Sequence, residues 1–217
     1  GGELVVKNSK ITSNLDEQLN NHRYEYPKRA YNTVILPKEV NLIPDIPEKD
    51  NLIVNVIKTE LPGIMTTREK INVKKIITDW KTFLVDNDLC HICVIERHGL
   101  NGEFAHGFLK NFNLTDGAVA SSVGHDAHNI IVAGIDQDDM KFALEKVNET
   151  QGGIVIVKRG ALIARLELPI AGLLSDKRAN IVAEENRILK DEWLKAGCTL
   201  PYMGFNLLPL SVIPNFR

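Results

Sequence analysis

Short stretches of alternating apolar and polar residues, set apart by turn residues, run through most of this chain. LIVNVIKT (52–59) alternates as a half-buried strand does. INVKKII (71–77), KTFLV (81–85), HICVIERH (91–98) and EFAHGFLKNF (103–112) follow as strand candidates. Pro62-Gly63 marks a turn, and Asn101-Gly102 joins 91–98 to 103–112 as a hairpin. GAVASSV (117–123) and NIIVAGI (129–135) are short apolar strands, and GIVIVKRGALIARLEL (153–168) folds back at Arg159-Gly160.

The period changes twice. After the N-cap candidate Asp136, with Asp138 and Asp139 in the first turn, Met140, Ala143, Leu144 and Val147 recur at helical spacing until Gly152-Gly153. A longer helix is predicted over 176–196, with Ile181, Val182, Ile188, Leu189, Trp193 and Leu194 on one face and Gly197 as its cap. At the start, residues 3–15 read as two short strands around Asn8-Ser9. Residues 16–50, polar and holding Pro27, Pro37, Pro44 and Pro47, read as a connector lying over a surface. The apolar tail from Cys198, broken by Pro201, Pro209 and Pro214, is expected to pack back as irregular structure. Strands joined by tight turns with few helices between them predict an α+β fold. Its antiparallel or mixed sheet is flanked by helices and preceded by the short strands and the proline-rich connector. The chain divides into 1–50 and a domain over 51–217.

Composition changes this picture little. Charged residues make up 25% and the net charge is -2, which gives no electrostatic reason to expect nucleic acid or an anionic membrane as partner. There is no apolar run of the roughly 18 residues that a membrane span needs, and GGELVVKNSK has no signal-peptide core. Three cysteines argue against a disulfide framework and for a cytoplasmic protein with free thiols.

Candidate chemistry concentrates in SSVGHDAHN (121–129). Gly124 frees the backbone to turn, His125 and His128 titrate near neutrality, and Asp126 could orient one of them. With Ser121, Ser122 and Asn129 they make a candidate loop that contacts a polar substrate or gates its entry. A polar turn between two core strands, with Asp126 and Asn129 capping amides, fits the same spacing. Glu96-Arg97-His98 is a second candidate at a strand end, where a solvated edge is the simpler reading and a pocket rim the alternative. Cys90-His91-Ile92-Cys93 has the CxxC spacing, but strand positions three apart face opposite ways and no second ligand pair exists. No phosphate-binding glycine motif, no G-x-S-x-G elbow and no small-deaminase zinc signature occurs. No catalytic residue and no metal ligand is assigned within the chain.

GFLKNFNLTDGAVASSVGHDAHNIIVAGIDQDDM (107–140) resembles the C-terminal part of bacterial adenine deaminases, of the amidohydrolase superfamily. LELPIAGLLSD (166–176), GCTLP (197–201), LPLSVIP (208–214), VIERHG (94–99) and Pro62-Gly63 with Thr66-Thr67 extend the likeness over roughly 52–214. Gly124 stands where alanine is usual, Ala127 where serine is usual, and Asn111 and Asn113 where glycines are usual. The missing serine removes a hydroxyl at position 127.

The resemblance implies a parent enzyme that turns adenine and water into hypoxanthine and ammonia. There a (β/α)₈ barrel holds one or two divalent metals, manganese or iron, which activate the attacking water. Such a barrel takes about 200 residues by itself, and the six histidines (His22, His91, His98, His106, His125, His128) contain no H-x-H pair. The chain therefore reads as the accessory part of such an enzyme, inactive alone, with no cofactor of its own and the barrel as its partner. Two alternatives stand beside this: a purely structural domain at the barrel or at a homo-oligomer interface, and a stand-alone purine-binding module.

Overall fold

The structure, a computed structural model, describes residues 2–21, 24–60 and 65–212. Eight strands form one mixed sheet: β3 (Leu52–Glu60), β4 (Met65–Val73), β5 (Leu89–Ile95), β6 (Phe104–Lys110), β7 (Ala118–Gly124), β8 (Asn129–Gly134), β9 (Gly153–Lys158) and β10 (Ala161–Glu167). Their order is β10-β9-β7-β8-β5-β6-β3-β4. Neighbours are antiparallel except β3 and β6, which run parallel at Ile57 and Leu109. A separate hairpin of β1 (Val6–Lys7) and β2 (Lys10–Ile11) turns at Asn8-Ser9. Helices are α1 (Ser13–Asn21), α2 (Trp80–Asp86), α3 (Gln137–Glu149), α4 (Ala179–Lys195) and α5 (Tyr202–Asn206). The α+β reading holds.

The central strands are apolar throughout because both faces of the sheet are covered. On one face Cys90, Ile92, Val119, Ile131 and Ile156 pack with Leu189 and Trp193 of α4 and Phe205 of α5. On the other, Cys93, Ile95, Ala120, Val132 and Val155 pack with Met140, Ala143, Leu144 and Val147 of α3. Cys90 and Cys93 thus fall in different cores, as a strand's period of two requires, and all three cysteines are free and buried. Asp136 caps α3, its carboxylate accepting from Asp138 N at 2.9 Å and Asp139 N at 3.2 Å.

The structure departs from the sequence reading in five places. KTFLV is helical, not a strand. Asp79 caps α2 by accepting from Thr82 N at 3.1 Å, and a five-residue window cannot separate the two periods. The strand expected over 71–77 lies earlier, at β4, and residues beyond Val73 leave the sheet. In α4 only Leu189 and Trp193 of the predicted face are fully buried. Ile181, Ile188 and Leu194 are exposed because the helix packs on the sheet mainly at its β10–β9 edge. The tail contains α5, whose Phe205 stacks on Phe112 with ring centroids 5.5 Å apart. The connector contains α1, and it sends Val34 and Leu42 into the core beside α3 rather than only lying over it. Pro62-Gly63 lies outside the described residues.

Two groups in this interior invite measurement. Trp193 is buried and donates its indole N–H to the Leu200 carbonyl at 2.8 Å. Trp193→Ala therefore costs about 3–5 kcal/mol, read as a lower urea midpoint. His91 is buried on β5 against Phe108, with Nδ1 unpartnered, and burial with nearby His106 lowers its pKa to about 4. The unfolded chain then binds the proton more readily. The associated stability is complete above pH 6.5 and is lost as pH falls toward 4, by roughly 3 kcal/mol in all. His91→Phe should flatten stability across that window, and an unchanged acid limb would contradict this assignment.

Candidate functional site

The edge that carries both sequence candidates is organised by Arg97. β5 ends at Ile95, and the next two side chains part company. Glu96 turns into the following loop and accepts backbone N–H bonds from His98, from Leu100 at 3.1 Å, from Asn101 at 3.4 Å and from Gly102 at 3.1 Å. Burial would raise its pKa, but these amides together hold it below the ordinary value. Glu96 is thus committed to shaping the turn at Asn101-Gly102.

Arg97 goes inward and is 1% exposed. Its guanidinium donates to the carbonyls of His128 at 2.5 Å, Ala171 at 2.9 Å and Thr33 at 3.5 Å. These carbonyls belong to the β7–β8 turn, the loop after β10 and the connector. Gly172 closes the arrangement: a Cβ there would lie 2.8 Å from the guanidinium carbon, and its φ is +69°. The solvated-edge reading fails for Arg97, since three carbonyls brought in from distant segments surround it.

The turn itself is His125-Asp126-Ala127-His128, between β7 and β8. His125 N donates to Asn206 O at 2.8 Å, which ties the turn to α5. His98 Nε2 lies 2.8 Å from the Ala127 carbonyl. The His125 and His128 rings meet edge to face with centroids 5.3 Å apart, and His125 Nδ1 is 3.9 Å from Asp126 Oδ1. Burial, then the neighbouring His125, lowers the pKa of His128, with the Val123 carbonyl working the other way. The His128 Nδ1 is buried without a hydrogen-bond partner. His128 is therefore held toward its neutral form.

The predicted residues separate into two groups. His98, His125, Asp126, His128 and Asn129 gather at the turn with some exposure, and His98 and Asp126 are the exposed ones. Ser121 and Ser122 are wholly buried. Ser121 Oγ accepts from Val123 N at 3.1 Å. Ser122 Oγ donates to Gly172 O at 2.6 Å and accepts from Gly153 N at 2.8 Å. In this structure neither serine is open to a substrate, and their hydroxyls serve β9 and the 172 loop. Sequence reasoning missed Asn206, which is 1% exposed with both amide atoms unpartnered and whose carbonyl holds the turn. Nothing in the local pattern of the tail marks it.

Comparison with known proteins bears on this arrangement. The model of the adenine deaminase C-terminal domain matches residues 53–217. The chain belongs to that family. It is 56% identical, over its whole length, to an adenine deaminase of Bradyrhizobium sp. (strain BTAi1 / ATCC BAA-1182), of which it covers 36%. It is 55% identical to an adenine deaminase of Chelativorans sp. (strain BNC1), again over its whole length and 36% of the relative. An adenine deaminase of Methanococcoides burtonii is 36% identical over 89% of this chain. The chain spans about a third of the length of these relatives.

Within this adenine deaminase C-terminal domain the turn does not suit a metal. Among the described residues no group of three or more histidine, cysteine, aspartate or glutamate side chains could hold an ion. Position 124 is also tight: a Cβ there would lie 2.6 Å from the Asn129 carbonyl, so the alanine usual at this place requires the turn to shift. Arg97→Met should leave three inward carbonyls without donors and lower stability by about 3–5 kcal/mol in urea denaturation. Arg97→Lys should recover only part of the loss, because one ammonium lacks the planar spread of the guanidinium.

Proposed function

We propose that this domain is the accessory part of a longer enzyme that hydrolyses adenine to hypoxanthine and ammonia, and that its 125–129 turn faces the mouth of the catalytic barrel. In this reading residues 1–50 are the link from the barrel and 51–217 the domain proper. The barrel supplies a divalent metal, manganese or iron, and the metal-activated water. This chain supplies no metal ligand and is inactive alone. The enzyme works in the cytoplasm, and among the described residues no helix is long and apolar enough to cross a membrane.

One observation carries the placement. A buried charge fixes the backbone of a turn whose imidazoles remain partly open, which is how a fold presents polar groups to something outside itself. The side chains that would contact or gate the purine are His125, Asp126, His128 and Asn129. His128 is partly open and biased toward neutrality, which suits contact with an uncharged base. The first segment supports the partner. Leu4, Val5, Val6, Ile11 and Leu19 are all exposed, and α1 buries no residue within this chain. A neighbouring domain would cover that apolar surface.

A structural role is the competing reading, favoured by the inward Ser121, Ser122 and Arg97. Replacing His125 and His128 by alanine in the complete enzyme separates the two. The accessory-site reading expects kcat/KM for adenine to fall about tenfold or more with the melting temperature kept, as for loss of one or two contacts. The structural reading expects lower stability with unchanged kinetics.

A further inference from the structure

Beside the turn lies a cleft of about 490 Å³ that shares Glu96 and Asn129 with the site described above and extends it along β5 and β6. That volume is in the range of small-molecule sites. It opens between the ends of β5, β6 and β8. Val94, Phe104 and Ala105 supply its apolar lining, and Asn101, Asn129, Glu96 and Glu103 its polar groups. It joins residues from both stretches singled out in the sequence, Glu96 after β5 and Asn129 after the two histidines.

We propose that this cleft is a binding subsite for a free, uncharged purine base of adenine's chemistry. The identity of the base rests on the functional reading above; the cleft and its selectivity rest on the lining. Phe104 is 38% exposed, which leaves part of an aromatic ring open to a flat heterocycle. The Asn129 side chain is engaged in no hydrogen bond among the described residues. Its carboxamide offers a donor and an acceptor side by side, the complement of an exocyclic amine next to a ring nitrogen. Asn101 is less free, since its side-chain oxygen already accepts from Glu103 N at 3.0 Å.

The charges decide which purine enters. Glu96 and Glu103 are both acidic, and among the described residues no basic side chain lines the cleft. Glu96 is held ionised by four backbone amides. Like-charge repulsion therefore works against a phosphorylated nucleotide and leaves the free base unopposed. Asn129 directly follows His128, so a base in the cleft lies next to the turn.

The test is a titration of the ¹⁵N-labelled chain with adenine and, separately, with adenosine monophosphate. Adenine should shift the amide signals of Val94, Asn101, Phe104, Ala105 and Asn129, and the monophosphate should bind about tenfold more weakly or worse. Phe104→Ala and Asn129→Ala should each weaken adenine about tenfold, with the remaining signals unmoved as the check on folding. Three results would overturn the proposal. They are no shifts up to the solubility limit of adenine, an equal response to the monophosphate, or shifts confined to the separate cavity at Tyr24, Tyr26 and Arg178. If the cleft fails while the His125 and His128 double substitution still slows the complete enzyme, the subsite alone is lost. If both fail, the functional reading falls with it.

Discussion

A buried positive charge, bonded among the described residues to main-chain carbonyls and to no carboxylate, holds this edge of the molecule together. Arg97 is inside the protein, and its bonds go to main-chain carbonyls from three segments far apart in sequence. A guanidinium taken out of water must replace its hydration with well-placed acceptors. The β7–β8 turn, the loop after β10 and the connector are therefore fixed together or not at all. The connector also returns a bond, Ile35 N donating to the Arg97 carbonyl at 2.9 Å. The glycine at 172 follows from the same constraint, because a side chain there would occupy the space of the guanidinium.

The sheet makes that edge available. With α3 on one face and α4 and α5 on the other, the middle strands have little free surface, and chemistry is left to their ends. The polar residues of β7 show the gradient. Ser122, still within the layer, is absorbed by hydrogen bonds to Gly153 and Gly172, whereas His125, three residues later, has left the layer and is half open. The same nine-residue motif thus supplies a structural clasp at one end and a presenting turn at the other.

Two histidines close together in the turn and a cleft with an open phenylalanine next to it give this edge both polar and flat apolar character. Among the described residues neither has the ligand set of a metal centre. An accessory domain of this kind acts by position. It brings hydrogen-bonding groups to a reaction whose reactive centre another domain holds, so its backbone must be set in advance.

Local pattern was enough for much of this. The strand at Leu52, those from Leu89 onward, the hairpin at Asn101-Gly102, the Asp136 cap and the separation of Cys90 from Cys93 all follow from period and turn chemistry, which depend on near neighbours. The motif over 107–140 was enough to place the family. Packing decided what was left. KTFLV had no partner in sequence to say that it caps and coils. Ile181, Ile188 and Leu194 repeat like core residues, yet α4 crosses too little of the sheet to cover them. Arg97, which reads as a solvated edge, and Ser121 and Ser122, which read as loop, are buried because Thr33, Ala171 and Gly172 arrive from elsewhere in the chain. A sequence records which residues can turn, alternate or cap. Which carbonyl meets a buried charge depends on contacts between segments many residues apart, and those exist only once the chain has folded.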